Sequence, residues 1–403
     1  MDYLLEVARI VDGAVKGDRA KVIAYVDQLA RKLREAGDAS AAERVLKAAQ
    51  SNKTSEVSAT AMAAAPRLPV DSESRLALAD EDRLSRGDVT VILDQAAQQR
   101  VREFVTYIKA ADRLLASRVG IAPSMLIYGP PGVGKTELAR YIAAELELPL
   151  VTGRSDSLIS SFLGSTAKNL RMLFEHAISR PCVLFLDELD SVAKLRDDQH
   201  ELGELKRVVV SLLQNIDALD SQVILLAATN HHHLLDPAVW RRFAYKIELT
   251  LPDIDARTRL YELFLDAYSP STKSLRDFAL LSEQTTGADI RQICESAMRA
   301  AVLAGRDVVE PLEVIREVIV CRLGRKADFT RADTAIVQGV RELNPNVLTL
   351  KRLARLFGSS EATISRRLRP GEDRNARRTK TPNKGRDSAG TRPQASSRRR
   401  RPS

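Results

Sequence analysis

The sequence predicts an α/β protein with a parallel sheet core and a small helical domain after it. Between residues 89 and 252, short apolar runs of strand length alternate with segments of helix length; the runs span residues 125–128, 150–152, 183–186, 223–228 and 246–249. This alternation is typical of a parallel sheet that is covered by helices. Residues 253–330 carry helical patterns without such runs, and they predict the small helical domain.

The segments before this core predict a helical module and a linker. Residues 1–50 contain three amphipathic patterns, and the first has its apolar stripe at Leu4, Leu5, Val7, Ala8 and Val11. Because so short a bundle is more often a docking module than an enzyme, we interpret it as an N-terminal helical docking domain. Residues 51–88 are rich in Ser, Ala, Asp and Glu, and this composition predicts a flexible linker.

Length and composition exclude several classes of protein. A chain of 403 residues has room for roughly two to four domains. No apolar run is long enough to cross a membrane, and the N-terminus lacks the basic and apolar regions of a signal peptide. The three cysteines are too far apart for a CxxC metal or redox motif, and they fit a reducing compartment. We therefore expect a cytoplasmic protein without a membrane partner.

A glycine-rich motif follows the first strand-like run of the core and precedes a helical pattern. It reads Gly129, Pro130, Pro131, Gly132, Val133, Gly134, Lys135, Thr136, which fits G-x-x-x-x-G-K-[ST]. In such a loop the backbone N–H groups point towards phosphate oxygens, and the next helix adds its positive N-terminal end. Lys135 is expected to reach the β- and γ-phosphates, while the Thr136 hydroxyl is expected to ligate Mg²⁺. The motif therefore predicts a site for ATP and Mg²⁺.

Polar side chains end two later strand-like runs. Asp187 and Glu188 come directly after residues 183–186, at the strand end where ligands of parallel sheets bind. Asp187 is expected to hold Mg²⁺ through water, and Glu188 to polarise the water that attacks the γ-phosphate. Asn230 follows the next run, and two interpretations stay open for it. It either orients that water and senses the γ-phosphate, or it simply forms a turn.

With these motifs in order, residues 89–325 resemble the AAA family in the strict sense, a branch of the AAA+ superfamily of P-loop NTPases. Residues 235–243 are similar to the family's second region of homology, where two arginines reach into the ATP site of a neighbouring subunit. The resemblance implies that Arg241 and Arg242 are arginine fingers, which stabilise charge on the transferred phosphoryl group. It also implies a homohexameric ring. For Arg241 and Arg242, the alternative is that they form a surface pair that bonds to local acids.

A short loop resembles the central-pore loop of the same family. Phe162 and Leu163 lie between serine and glycine residues, as an aromatic residue followed by an aliphatic one and Gly164. In the family such loops line the channel of the ring and grip an extended polypeptide. The resemblance therefore implies a polypeptide substrate, whose varied side chains an aromatic ring contacts without regard to sequence. The alternative is that Phe162 belongs to the core.

The C-terminal end resembles a bacterial helix-turn-helix within residues 346–369. Gly358 stands at the turn, and the resemblance places Thr363, Arg366 and Arg367 on the helix that faces DNA. The alternative is a plain helical hairpin with a solvated basic face.

Beyond this segment, residues 370–403 predict a disordered basic tail. Residues 371–403 contain eleven Lys or Arg and only three Asp or Glu, although the whole chain has a net charge of only +9. The basic excess is therefore concentrated at one end of the chain. Such an asymmetry indicates a polyanionic partner, and DNA is the expected one.

The sequence thus leads to two functional hypotheses. The first is an ATP-hydrolysing ring motor that remodels or unfolds proteins, tethered to DNA by its C-terminal end. Since neither GxSxG nor HExxH occurs in the chain, degradation of its substrates requires a separate peptidase. The second is a DNA-binding regulator of a plasmid or defence system, in which ATP only controls assembly.

Overall fold

The computed structural model describes residues 3–15, 18–50, 68–71, 75–158, 163–193, 202–219, 223–324, 328–330 and 333–368. The chain divides into two compact units, residues 1–327 and residues 328–403. The domain boundaries expected from the sequence stay predictions, and the predicted basic tail, residues 370–403, lies outside the described residues.

Six strands form one sheet at the centre of the first unit. They are β1 (Ala79–Asp82), β2 (Ser124–Tyr128), β3 (Leu150–Gly153), β4 (Val183–Leu186), β5 (Ile224–Thr229) and β6 (Tyr245–Glu248). Their order across the sheet is β1-β3-β4-β5-β2-β6, and all neighbours run parallel except β1 with β3. The sheet therefore confirms the predicted fold class, a parallel-dominated α/β core.

Helices surround the sheet and continue beyond it. Those of the first unit are α1 (Leu4–Val15), α2 (Arg19–Glu35), α3 (Ala39–Gln50), α4 (Gln95–Lys109), α5 (Ala111–Ala116), α6 (Lys135–Leu146), α7 (Ser155–Leu158), α8 (Leu163–Ile178), α9 (Asp190–Ala193), α10 (Leu202–Ala218), α11 (Pro237–Arg242), α12 (Ile254–Leu265), α13 (Thr272–Leu281), α14 (Gly287–Leu303) and α15 (Pro311–Leu323). The last four follow the sheet without a further strand, as the helical patterns of residues 253–330 predict.

Two apolar layers cover the two faces of the sheet. Leu184 of β4 packs with residues of α8 and α10, whereas its neighbour Phe185 packs with residues of α4 and α6. Successive side chains of a strand point to opposite faces, so a strand covered on both faces reads as a continuous apolar run. This double coverage explains why β4 and β5 are wholly buried and why their carboxyl ends are fixed rigidly.

The first helix differs from the amphipathic prediction. Leu4, Val7 and Val11 of the predicted apolar stripe are exposed, whereas Glu6 and Arg9 are buried. The charged residues are tolerated inside because Lys32 lies 2.7 Å from the Glu6 carboxylate, and the Arg9 guanidinium lies 5.8 Å from the centre of the Tyr25 ring. Part of the stripe that the sequence assigns to the bundle core is therefore surface.

The predicted flexible linker, residues 51–88, contains a strand. Residues 79–82 form β1 at the edge of the sheet, and the Arg180 side chain bonds to Glu81 at 2.5 Å. The linker prediction is wrong for residues 79–82. Their acidic composition gives no indication of a strand, but pairing with β3 stabilises one. Residues 51–67 and 72–74 lie outside the described residues.

The described residues of the second unit form three helices, α16 (Thr334–Leu343), α17 (Leu350–Leu356) and α18 (Glu361–Leu368). Leu353 and Ala354 of α17 and Ile364 of α18 are buried, and Gly358 takes a φ of 56° in the turn between them. The Ser360 hydroxyl caps α18 by accepting the Thr363 N–H at 3.2 Å. Within the described part of the chain, no helix combines the length and apolar character that a membrane span requires.

Candidate nucleotide-binding site

The loop between β2 and α6 depends on its glycines. Gly129, Gly132 and Gly134 have φ values of 147°, 77° and 98°, which side chains with a Cβ rarely adopt. A Cβ on Gly132 would also lie 2.7 Å from the Thr286 hydroxyl oxygen, and the Gly132 carbonyl accepts the Ala288 N–H at 3.0 Å. These contacts hold the loop against the first residues of α14 in the small helical region.

The Lys135 ammonium lies inside this loop. The residue is buried, and its Nζ donates to the carbonyls of Gly129 and Pro130 at 2.9 and 2.8 Å. Burial lowers the pKa of Lys135, while the nearby carboxylates of Asp187 and Asp190 act in the opposite direction. A desolvated cation encircled by glycine-rich backbone is suited to bind a phosphate group.

Two hard oxygen ligands meet beside the loop. The Thr136 hydroxyl donates to Asp187 Oδ2 at 2.8 Å, and Asp187 Oδ1 accepts the Glu188 N–H at 2.9 Å. Mg²⁺ prefers a few protein oxygens together with substrate phosphates and water, so this pair fits the cation that ATP carries. The two residues proposed to hold Mg²⁺ thus lie together, although Thr136 lies in the first turn of α6 and Asp187 follows β4.

Glu188 lies at the end of β4 with its carboxylate near the loop. Its φ of 51° is unusual for a residue with a side chain, and Glu188 Oε2 accepts the Ser155 hydroxyl at 3.2 Å. Backbone strain of about 1–3 kcal/mol persists where surrounding structure imposes it, and such residues cluster at functional sites. Ser155 is a contact that the sequence motifs did not indicate.

Asn230 follows β5 and faces the same cavity. Its Oδ1 is buried and has no hydrogen-bond donor among the described residues. The preceding Thr229 hydroxyl donates to Asp190 Oδ1 at 2.7 Å, which ties the ends of β4 and β5 together. A buried acceptor that lacks a donor costs about 1–3 kcal/mol, so this amide is suited to a water molecule or nucleotide.

These groups line a cavity of about 670 Å³, a volume within the range of small-molecule sites. Its other wall comes from the segment before α4 and from α12 and α14, with Val91, Leu93, Leu260 and Phe264. The Arg291 guanidinium lies 5.0 Å from the centre of the Phe264 ring. Sequence reasoning missed this wall because apolar lining residues carry no motif and only folding brings them to the loop.

The two arginines of α11 lie outside this cavity. Both are exposed, and neither belongs to the lining that the described residues form. Arg242 pairs with Asp217, Nε to Oδ1 at 2.6 Å and Nη2 to Oδ2 at 2.9 Å, and this partner raises the pKa of Arg242. Among the described residues, no side chain or carbonyl bonds to the Arg241 guanidinium.

The remaining predicted residues divide between the two units. Phe162 lies outside the described residues, and Leu163 is the first residue of α8. In the second unit, Arg366 is exposed on α18, whereas Thr363 and Arg367 are half-buried. The Thr363 hydroxyl lies 2.9 Å from the Ser360 hydroxyl, so it contributes to the cap of its own helix.

The known proteins that this chain resembles include ATPases, as expected for a nucleotide-binding site of this geometry. Residues 125–251 match the ATPase family associated with various cellular activities (AAA). The chain is 38% identical over 230 residues to an uncharacterized AAA family ATPase, y4kL, of Sinorhizobium fredii, which covers 57% of this chain and 69% of that protein.

Two archaeal relatives are proteasome-activating nucleotidases. The one of Methanococcus vannielii is 38% identical over 204 residues, covering 48% of this chain and 50% of its own length. That of Saccharolobus solfataricus is 31% identical over 247 residues, covering 58% and 63%. The chain thus spans between half and two thirds of these archaeal proteins. Residues 125–251 match the family and include the phosphate loop, and the identity to the rhizobial protein extends over 69% of that protein. The chain therefore belongs to the AAA family of ATPases.

Proposed function

We propose that the chain is an ATP-hydrolysing motor that remodels or unfolds protein substrates as part of a homohexameric ring. The observation that carries this proposal is the division of the nucleotide site. The chain's own cavity supplies a phosphate loop, Lys135 and two carboxylates, while the exposed arginines of α11 lie outside it. An arginine finger supplied in trans completes a site of this kind, and we propose that a neighbouring subunit supplies it here.

Within the cavity each polar group has a role in hydrolysis. Lys135 and the loop N–H groups bind the phosphates, and Thr136 with Asp187 holds Mg²⁺, which neutralises charge on the β- and γ-phosphates. Glu188 accepts the proton of the attacking water, which Asn230 orients through its free Oδ1. The apolar wall at Leu93, Leu260 and Phe264 receives the base.

The substrate class follows from two arguments. The archaeal relatives are named proteasome-activating nucleotidases, and these names support a protein substrate and a separate peptidase for this chain. The resemblance of Phe162 and Leu163 to a pore loop supports the same substrate class. The exposed stripe of α1 at Leu4, Val7 and Val11 offers the N-terminal module a surface for a partner.

A second candidate function is DNA binding by the second unit, which would tether the motor or, alternatively, act under control of ATP. It is favoured by the turn at Gly358 between two short helices and by the exposed Arg355 and Arg366. Duplex binding by the full chain should weaken steeply with salt, and Arg366→Ala should reduce it. Binding that does not depend on salt, or on Arg366, would remove this candidate.

A substrate trap tests the leading proposal. Glu188→Gln should bind ATP normally but lose hydrolysis by at least about 100-fold, because the water loses its base. With ATP this variant should retain unfolded polypeptide, whereas the wild-type chain releases it. Glu175→Gln on α8, an exposed carboxylate paired with Arg171, is the matched control and should leave both properties unchanged. If unfolded polypeptide neither stimulates the wild-type ATPase nor stays bound to the trap, the proposal is wrong.

A further inference from the structure

Three aromatic side chains meet beside the nucleotide site. The ring centre of Tyr128 lies 4.8 Å from that of His232 and 5.3 Å from that of Trp240, and the last two are 6.1 Å apart. We call these three residues the ring cluster. The Lys246 ammonium lies 5.4 Å from the centre of the Trp240 ring, so a cation flanks the cluster. Contacts of this kind add about 0.5–1.5 kcal/mol for each aromatic pair.

Each ring belongs to a different part of the site. Tyr128 ends β2 and directly precedes Gly129, the first residue of the phosphate loop. His232 stands two residues after Asn230, and Trp240 directly precedes Arg241 on α11. The ring contacts thus connect the residue before the phosphate loop, the segment that follows Asn230, and helix α11.

Nucleotide binding is expected to change the bonds next to two of the rings. Lys135 donates to the carbonyls of Gly129 and Pro130, and phosphate oxygens compete with these carbonyls for its ammonium. Asn230 Oδ1 has no donor until water or nucleotide supplies one. Both changes occur within two residues of the cluster, and neither helix α11 nor Arg241 needs to touch the nucleotide of its own chain.

We infer that the ring cluster transmits the state of the phosphate site to α11, so that Trp240 positions Arg241 according to the nucleotide bound in the same chain. Tyr128, His232 and Trp240 are positioning residues that act through Arg241. Trp240 is half-buried and packs against the sheet core, whereas α11 is only six residues long. Besides Trp240, α11 is held by the buried Val239 and by the pair of Arg242 with Asp217, so a shift of the Trp240 ring acts on a short helix with few other anchors. The inference rests on the proposed function only for the effect on hydrolysis rate.

The single tryptophan of the chain makes this inference directly measurable. In the full-length chain carrying Glu188→Gln, Trp240 emission should change on titration with MgATP, saturate with the binding isotherm, and differ from its value with MgADP. Calorimetry measures the binding independently. Unchanged emission, with nucleotide bound by calorimetry, would overturn the inference.

Variants of Tyr128 separate coupling from simple packing. Tyr128→Leu removes a ring and should lose most of the emission change while nucleotide affinity stays within about threefold; in the wild-type background kcat should fall by about 2- to 30-fold. Tyr128→Phe keeps the ring and should restore both. Tyr107→Leu, a half-buried ring on α4 that contacts Tyr245, is the control and should behave like wild type. Equal behaviour of the Leu and Phe variants would contradict the cluster's role.

The two readouts also distinguish this inference from the proposed function. Emission is read within one subunit, so it responds to nucleotide whether or not a ring forms or a polypeptide is processed. A nucleotide-dependent signal without polypeptide-stimulated hydrolysis would retain the coupling and reject the motor. Polypeptide-stimulated hydrolysis without a change in Trp240 emission would retain the motor and reject the coupling.

Discussion

Gly132→Ala should uncouple the phosphate loop from the small helical region. The residue has a φ of 77°, and an added Cβ would lie 2.7 Å from the Thr286 hydroxyl oxygen and 3.2 Å from the Ala288 Cβ. Thr286 is not free to turn away. Its hydroxyl donates to Asp289 Oδ2 at 2.7 Å and accepts the Asp289 N–H at 3.1 Å, which forms the capping box of α14.

The size of the effect follows from two contributions. A left-handed conformation costs a residue with a Cβ about 1–2 kcal/mol. Displacing α14 also breaks the bond from the Ala288 N–H to the Gly132 carbonyl, which contributes about 1 kcal/mol. If the loop must recover this geometry to bind nucleotide, the sum of about 2–3 kcal/mol lowers ATP affinity by about 30- to 150-fold.

Calorimetric titration with MgATP and thermal unfolding measure this effect. Gly37→Ala is the matched control, because Gly37 has a φ of 85° but no atom within 4 Å of an added Cβ. It should show the conformational cost alone, as a lower melting temperature with unchanged ATP affinity. Equal ATP affinity of Gly132→Ala and of the control would contradict this prediction.

Three further predictions concern charges outside the cavity. Asp217→Asn should loosen Arg242 and lower kcat by about tenfold without weakening ATP binding, as steady-state kinetics and calorimetry will show; an unchanged kcat would mean that the pair is only a surface contact. Lys32→Met removes the cation of the buried Glu6 carboxylate and of Asp112, 3.5 Å away, and should destabilise the chain by about 2–3 kcal/mol in denaturant unfolding; this is less than for a fully buried pair, because the Lys32 side chain is 36% exposed. Adding Glu6→Leu should recover much of that loss, and no recovery would contradict the pairing. Burial, with a smaller contribution from a neighbouring guanidinium, lowers the pKa of His176, so the folded state binds fewer protons than the unfolded state. Stability should therefore fall as pH drops from about 7 to 5, and less steeply in His176→Gln; equal slopes would refute this.

The sheet and the loop chemistry could be read from the sequence because both have local signatures. A strand that is covered on both faces, such as β4, must be a continuous apolar run, and acids at its end stand out. The spacing of Gly132, Gly134 and Lys135 reflects what a phosphate requires of a backbone. These features depend on neighbours in the chain, so one sequence suffices to predict them.

Other features depend on partners that are distant in the chain. The acidic strand β1 looks like a linker until Arg180 pairs with Glu81. The apolar stripe of α1 looks like core, yet Leu4, Val7 and Val11 face solvent because Lys32 and the Tyr25 ring accommodate charged residues on the other face. The same limit explains why the cavity wall around Phe264 and the ring contacts of Trp240 carried no signal in the sequence.

The claim that each ATP site is completed by a neighbouring subunit can be tested by mixing two inactive variants. Arg241→Ala keeps Glu188 in its own cavity, and Glu188→Gln keeps Arg241 on its surface. If Arg241 acts on the neighbour, an equimolar mixture forms intact sites at about one interface in four and should recover about a quarter of the wild-type ATPase rate. If light scattering shows mixed assemblies that stay as inactive as either variant alone, Arg241 does not act between subunits and the account is contradicted.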